Sequence, residues 1–138
     1  MMRVVVNGTF DIIHVGHLEL LWFARFQSEN THVLVLIDSD RRIKELKGVD
    51  RPVNSQHERK RLLQCLRMVD EVKVFDSDEE LSSLLKEYSP DVMVKGSDYR
   101  GKKIIGEEHC KSIRFLEKVE GYSTTNKINS ILTLGDKV

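Results

Sequence analysis

The chain has 138 residues, and its 22 lysines and arginines balance 22 aspartates and glutamates, so its formal net charge at pH 7 is zero. That balance provides no net field to attract nucleic acid or an acidic membrane, and we expect neither as a partner. A chain of this length is predicted to form one domain over residues 1–138. Its first apolar run is too short for a signal peptide or a membrane span, so we expect a cytoplasmic protein.

The first predicted elements are a strand at residues 3–7 and a helix at about 17–28. The strand is a short β-branched apolar run, which is typical of a buried parallel strand, and Gly8 then lets the chain turn. The helix is apolar almost all round. Such a helix is either enclosed by its own domain or shared with another subunit, and we expect a subunit contact and therefore a homodimer.

The second predicted unit starts with a continuous apolar strand at residues 33–37, as expected of a strand buried on both faces. Residues 38–40 form a helix-entry signal, but Gly48 and Pro52 predict that much of 41–54 is a loop. Asn54 or Ser55 caps the next predicted helix. Its predicted inner face contains Leu62, Leu63, Leu66 and Val69, and Cys65 in the same pattern is predicted to be a small core residue.

The remaining chain continues to alternate strands with helices. Strands are predicted at 72–75, 92–94 and 113–116, with helices opening at 76–80, near 104–111 and at 123–125. This alternation predicts an α/β fold, a three-layer sandwich with a parallel sheet. Ligands of such sheets bind beyond the carboxyl ends of the strands. We therefore expect the turn after the first strand, the loop at 38–54 and the loop at 95–101 to meet at one edge.

The turn after the first strand is the predicted phosphate site. His14 and His17 are three residues apart, so they share one helical face. They lie at a helix N-terminus, where free backbone amides favour anions. A lone histidine is more often a cap or a partly buried residue, but a pair that follows Gly8 favours function. A zinc site is less favoured, because no Cys-x-x-Cys or His-Glu-x-x-His accompanies the pair.

Two other nucleotide motifs are weaker. No Gly-x-Gly-x-x-Gly follows the first strand, which gives a dinucleotide fold little support. Residues 96–102 match the first seven positions of a P-loop, but the eighth position is Lys103, which has no hydroxyl to hold magnesium. We interpret residues 96–98 as a turn that places a carboxylate.

The motif from Gly8 to His17 resembles a known family signature. Residues 8–11 (Gly-Thr-Phe-Asp) with 14–17 (His-Val-Gly-His) are similar to the His-x-Gly-His signature of the nucleotidyltransferase superfamily, in its cytidylyltransferase-like branch. Further blocks resemble the adenylyltransferases that make ADP-heptose from heptose 1-phosphate. These blocks are at 46–48, 51–54, 95–99 and 123–126. The resemblance covers nearly the whole chain and implies a Rossmann-like nucleotidyltransferase fold.

Two alternatives stay open beside this resemblance. Glycerol-3-phosphate cytidylyltransferases are the next most similar enzymes, so CTP with an alcohol phosphate is the alternative to ATP with a sugar phosphate. A nucleotide-binding regulator without catalysis is the alternative from another class, and the intact histidine pair argues against it. One departure from the family is Lys118, near the position where relatives often carry arginine.

The resemblance implies that an acceptor phosphate attacks the nucleotide α-phosphate and that pyrophosphate leaves. Catalysis of this reaction is mainly positioning and charge neutralisation. We predict that His14 and His17 donate hydrogen bonds to the α-phosphate. Basic groups are predicted to hold the acceptor phosphate or the pyrophosphate. Among them, Lys47 and Arg59 are predicted to be catalytic residues. The predicted acceptor-phosphate residues are Lys44, Lys47 and Arg51.

The other predicted contacts are with the nucleotide. Hydroxyls and free amides at a helix N-terminus suit the β- and γ-phosphates, and they come from Ser123, Thr124 and Thr125. The resemblance assigns nucleotide binding also to Gly8, Thr9, Phe10, Asp11, Gly16 and Asp98. It implies that Asp98 and its neighbours contact the base or ribose. It also implies that Asp11 lies near a magnesium ion held mainly by the triphosphate, so Mg²⁺ is the expected cofactor.

Overall fold

Strands and helices alternate along the computed structural model, which describes residues 1–118 and 120–135. The strands are β1 (Met2–Gly8), β2 (Thr31–Asp38), β3 (Glu71–Phe75), β4 (Val92–Gly96) and β5 (Ser112–Leu116). The helices are α1 (Val15–Arg25), α2 (Asp40–Lys47), α3 (Gln56–Gln64), α4 (Asp78–Tyr88) and α5 (Thr124–Gly135). Within those ranges every helix falls short of the length and apolarity that a bilayer span requires.

The five strands form one parallel sheet in the order β3-β2-β1-β4-β5. Side chains alternate between the two faces of a strand, and the central strand β1 uses both. Val4 and Val6 pack with Leu21 of α1 and Leu63 of α3 on one face. Val5 packs on the other face, in a cluster that includes two leucines of α4. These three layers confirm the predicted α/β sandwich.

The strand order reverses direction at β1, because the chain builds toward β2 and β3 on one side and returns to β4 on the other. Such a reversal opens a crevice beyond the carboxyl ends of the strands. The turn after β1, helix α2 after β2 and the turn after β4 all begin at this edge. The expected meeting of these segments is therefore confirmed.

The helix-entry signal predicted at residues 38–40 opens helix α2, which takes up the first half of the stretch 41–54 that was predicted to be largely a loop. The hydroxyl of Ser39 caps it by accepting a hydrogen bond from the Arg42 amide at 3.1 Å. Ile43 is its one buried residue. A single buried apolar side chain in eight residues leaves almost no periodicity to read, which is why the pattern resembled a loop. The helix ends at Gly48, whose φ of 105° suits glycine.

The inner face of α3 also differs from the prediction. Arg59 and Leu63 are its buried residues, whereas Leu62 and Cys65 are exposed and the helix ends at Gln64. The apolar pattern predicted the wrong inner face because the buried side chain one turn before Leu63 is that of Arg59, which is charged.

The expected subunit contact through α1 stays a prediction. Most of its large apolar side chains are partly buried against the sheet, among them Leu18 and Trp22. Phe26, the residue that caps the carboxyl end of the helix, is 74% exposed and stacks on Trp22 with 5.3 Å between ring centroids.

Candidate active site

A cavity of about 380 Å³ opens beyond the carboxyl ends of β1, β4 and β5. Its walls come from the first turn of α1, the end of α2 with the loop that follows, the turn after β4 and the N-terminal turn of α5. It brings together most of the predicted site residues: Thr9, His14, Gly16, His17, Lys47, Arg51, Asp98, Ser123, Thr124 and Thr125.

The two histidines cap helix α1 reciprocally. Nδ1 of His14 accepts a hydrogen bond from the Gly16 amide at 3.1 Å, and Nδ1 of His17 accepts one from the His14 amide at 3.2 Å. Because both Nδ1 atoms are acceptors, the proton of each neutral ring lies on Nε2. The backbone therefore selects one tautomer for both rings, and each ring offers an Nε2–H donor to a ligand in the cavity that it lines.

Both imidazoles are held neutral at pH 7. Burial, together with smaller contributions from the neighbouring His14 and Lys47, lowers the pKa of His17 to about 4. Burial also lowers the pKa of His14, with additional repulsion from Lys127 and Lys118. The rings stack with 3.8 Å between centroids, a separation at which two imidazolium charges would repel strongly. Both rings are therefore available as neutral hydrogen-bond donors.

Gly16 is required by this cap. A Cβ at position 16 would lie 2.9 Å from Cε1 and 3.0 Å from Nδ1 of His14, distances that real Cβ atoms avoid. Any side chain at this position would push the His14 ring out of its hydrogen bond with the Gly16 amide. The glycine between the histidines is thus a packing requirement of the turn.

The opposite wall is the N-terminus of α5. Thr124 Oγ1 donates to the Ile12 carbonyl at 3.3 Å, which joins α5 to the turn after β1. Ser123 Oγ accepts from the Asn126 amide at 2.9 Å, and Arg51 Nη2 lies 3.5 Å from Thr125 Oγ1. Helix N-termini attract anions, so α1 and α5 with Lys47, Arg51 and Lys118 produce a cavity suited to phosphates.

Arg59 does not reach the cavity, which corrects its predicted catalytic contact with phosphate. Its guanidinium is fully buried and donates to the carbonyls of Thr9 at 2.9 Å, Asp38 at 2.8 Å and Asn54 at 3.0 Å. It also pairs with the Asp40 carboxylate at 2.8 Å. These bonds join the turn after β1, the end of β2, α2 and the loop before α3, so Arg59 is a positioning residue.

Asp11 does not line the cavity either. Its carboxylate is 4% exposed and accepts hydrogen bonds from the amides of Val53 and Asn54, both at 2.8 Å. The side chain therefore holds the loop that carries Arg51. In the part of the chain that the structure describes, no group of three or more histidines, cysteines, aspartates or glutamates is placed to hold a metal ion.

Three further predicted residues lie outside this cavity. Phe10 is buried, at a φ of 50°, and its ring packs against His17 with 4.9 Å between centroids, so it supports that imidazole from behind. Lys44 is exposed on α2 and does not line the cavity. Gly8 lines a neighbouring cavity instead.

Sequence reasoning included Tyr99 only as a neighbour of Asp98 and gave no role to Glu117 or Lys118, all of which line the cavity. Tyr99 follows Asp98 in the turn after β4, while Glu117 and Lys118 follow β5. The rule that ligands bind at the carboxyl ends of strands, applied to β5, was the available signal for the last two.

Residues 5–130 match the family model described as cytidylyltransferase-like, and the chain belongs to this family. It is a nucleotidyltransferase. Its curated relatives include proteins named "Bifunctional protein HldE". The one from Campylobacter fetus subsp. fetus is 45% identical over 128 residues, which cover 93% of this chain and 27% of the relative. The one from Nitratiruptor sp. is 44% identical over 123 residues, which cover 88% of this chain and 26% of the relative. The chain thus spans about a quarter of the length of the curated relatives it matches.

Solved structures share the fold. The lipopolysaccharide core biosynthesis protein from Thermoplasma volcanium superposes with a TM-score of 0.68 at 22% identity, over 86% of this chain and 99% of that one. The macrolide-efflux protein from Streptococcus pneumoniae superposes with a TM-score of 0.67 at 24% identity, over 96% of this chain and 52% of that one. These similarities bear on the fold alone, and they agree with the predicted Rossmann-like nucleotidyltransferase fold.

Proposed function

We propose that the protein condenses ATP with heptose 1-phosphate and releases pyrophosphate. The observation that carries nucleotidyl transfer is the reciprocal histidine cap, which presents two neutral Nε2–H donors in a cavity between two helix N-termini. The heptose acceptor is supported by the relatives named HldE, at 40–45% identity. It is also supported by the sequence blocks that resemble ADP-heptose-forming adenylyltransferases.

In the proposed reaction, an oxygen of the sugar phosphate attacks the α-phosphorus of ATP. The bond from that phosphorus to the bridging oxygen of the β-phosphate breaks, and pyrophosphate leaves. Negative charge builds on the α-phosphate oxygens in the transition state, where donors already held in place stabilise it most. His14 and His17 are held in place by their own backbone bonds, so their rings need no reorganisation as the charge develops.

The remaining cavity groups are assigned by charge and position. We assign the β- and γ-phosphates to Ser123, Thr124 and Thr125, at the start of α5. Lys47 and Arg51 reach the cavity from the end of α2 and the loop that follows, and they suit the acceptor phosphate. Asp98, in the turn after β4, suits the ribose or base.

Magnesium is proposed to enter with the nucleotide. The cavity carboxylates are those of Asp98 and Glu117, and the described residues form no metal-binding cluster of their own. The ion would therefore be held mainly by triphosphate oxygens, and the roles proposed for the protein groups do not depend on it.

The test is a screen of four nucleoside triphosphates against heptose 1-phosphate, glycerol 3-phosphate and other sugar phosphates, with magnesium present. Pyrophosphate release and mass spectrometry of the product report the reaction. We expect ATP with heptose 1-phosphate to give the highest kcat/KM. Turnover confined to CTP and glycerol 3-phosphate would establish the alternative activity, and a folded protein that turns over no pair would refute nucleotidyl transfer.

A further inference from the structure

Helix α2 carries Lys47 to the active-site cavity with very little apolar packing of its own. Ile43 is its one buried residue, and Leu46 near its end is exposed. A helix of eight residues is marginal on its own in water, and one apolar side chain does not offset the entropy lost when its backbone is ordered. Polar contacts therefore decide where this helix lies.

The first turn of α2 is fixed by two such contacts. The hydroxyl of Ser39, which caps the helix, donates to Asp76 Oδ1 at 2.5 Å. Asp40, the first residue of the helix, pairs with the buried Arg59. Lys47 lies nearly two turns further along the helix, so these contacts fix its starting point but not its rotation about its axis.

Arg42 supplies a contact on the flank of the helix. Its Nε donates to Asp38 Oδ1 at 2.8 Å, and its Nη2 donates to Asp78 Oδ1 at 2.6 Å. The guanidinium carbon also lies 5.3 Å from the centroid of the Phe75 ring. A single side chain thus ties α2 both to the end of β2 and to the start of α4.

The burial of this contact distinguishes it from an ordinary surface ion pair. Arg41, on the same helix, pairs with Asp76 at an exposed position, where water screens the charges and the pair contributes little. The side chain of Arg42 is 16% exposed and that of Asp38 is 11% exposed. Removal of the Arg42 guanidinium would leave the Asp38 carboxylate buried without its hydrogen-bonded cation, which is much more costly than the loss of an exposed pair.

The rotation of α2 decides where Lys47 points. Ile43 and Lys47 are four residues apart, so they share one face of the helix. Arg42 precedes Ile43 and therefore projects about 100° away from it around the helix axis. A helix that is held only at Ile43 can turn about that point, whereas a second contact on the flank fixes the face that carries Lys47.

We propose that Arg42 is a positioning residue that, through Asp38 and Asp78, fixes the rotation of α2 and so holds Lys47 at the acceptor phosphate. This inference rests on the proposed nucleotidyl transfer and names a residue that acts on the acceptor through another. Its consequence is that Asp78, an exposed residue of α4 outside the active-site cavity, influences the binding of the acceptor.

The test measures KM for heptose 1-phosphate and for ATP in three variants. We expect Arg42→Met to raise KM for the sugar phosphate about tenfold, or about 1.4 kcal/mol, with KM for ATP unchanged. Asp78→Asn is expected to raise the same KM about fivefold, because the contact with Asp38 remains. Arg42→Lys keeps the charge and one of the two contacts, so it is expected to stay within about threefold of the wild type.

Glu79→Gln is the matched control. Glu79 follows Asp78 in the first turn of α4, is exposed, and pairs with no basic side chain among the residues that the structure describes. The control is expected to change neither KM. The double variant of Arg42→Met with Asp78→Asn is expected to match Arg42→Met alone, because both changes break the same contact. Fully additive effects would overturn the proposal.

The Asp78 variant separates positioning from direct contact with the substrate. Arg42 lines a neighbouring cavity, whereas Asp78 lines neither that cavity nor the active-site cavity. If only Arg42→Met raises KM for the sugar phosphate, Arg42 binds the acceptor directly and the positioning role is refuted. An unchanged KM in both variants would refute it as well, and so would an equal rise in KM for ATP.

Hydrogen exchange distinguishes failure of this inference from failure of the proposed function. We expect the amides of residues 43–47 to exchange about tenfold faster in Arg42→Met and Asp78→Asn, and at wild-type rates in Glu79→Gln. If the substrate screen finds no turnover, the proposed function fails, yet this exchange pattern with weaker calorimetric binding of inorganic phosphate still supports the positioning role. Unchanged exchange in both variants would refute that role whatever the enzyme turns over.

Discussion

Two polar clusters lie at the carboxyl edge of the sheet, and they differ in how many hydrogen-bonding groups remain for a ligand. The histidine turn uses one ring nitrogen of each of His14 and His17 on its own backbone and leaves the other free. The Arg59 guanidinium donates four hydrogen bonds to other protein groups and is fully buried. Both clusters look equally catalytic as residue types. A hydrogen-bonding atom that faces a cavity and has no protein partner distinguishes a binding group from a supporting one.

The largest effect is expected at the supporting cluster. Arg59→Ala would leave three carbonyls and the Asp40 carboxylate without their shared partner, and we expect a loss of about 3–5 kcal/mol in the free energy of unfolding. Urea denaturation measures this loss. Arg61→Ala, an exposed arginine on the same helix, should stay within about 0.5 kcal/mol of the wild type. If Arg59→Ala kept full stability, the distinction between the two clusters would be wrong.

The histidine turn should show the opposite behaviour. His17→Ala removes a donor at the reacting phosphate, so we expect kcat to fall about 10²–10³-fold while the protein keeps most of its nucleotide affinity. Pyrophosphate release and calorimetry measure the two quantities. The control is His57→Ala, at an exposed position of α3. If the wild type has no activity and His17→Ala only loses nucleotide binding, the protein is instead a nucleotide-binding regulator.

Acid should destabilise the histidine turn selectively. The pKa of His17 is about 4 in the folded state against 6.5 for the free side chain, so the unfolded chain binds the additional proton between those values. Stability is therefore complete above pH 6.5 and decreases as the pH falls toward 4, by up to about 3 kcal/mol. Urea denaturation of the wild type and His17→Asn across this range isolates the contribution. An equal pH dependence in both proteins would contradict the low pKa.

The smallest effect is expected at the glycine between the histidines. Gly16→Ala would displace the His14 ring without removing it, and we expect kcat to fall about 10–100-fold with the fold retained. Gly135→Ala is the control, since no atom of residues 1–118 and 120–135 outside its immediate surroundings lies within 4 Å of a Cβ at that position. Crystal structures of both variants would show whether the ring of His14 has left the Gly16 amide. An active Gly16→Ala enzyme would mean that this hydrogen bond is dispensable.

The sequence was a good guide where the physical signal is local. Apolar runs identified all five strands, and the spacing of His14 and His17 after Gly8 identified the turn that begins the cavity. It was a poor guide where the signal depends on distant partners. The length of helix α2 was missed, although residues 38–40 indicated its start, because Ile43 alone is buried in it. Cys65 was wrongly placed inside because the apolar pattern does not reveal that the charged side chain of Arg59 fills that interior.

The linear chain thus determined by itself the alternating α/β order and the histidine cap, because periodicity and capping act within a few residues. Only the tertiary structure decided which polar groups are used up and which remain free. Arg59 and Asp11 are hydrogen-bonded to carbonyls and amides that are distant in sequence, whereas the Oδ1 atom of Asn7 has no partner among the described residues. Hydrogen-bond satisfaction is a property of three-dimensional neighbours, and residue identity alone does not reveal it.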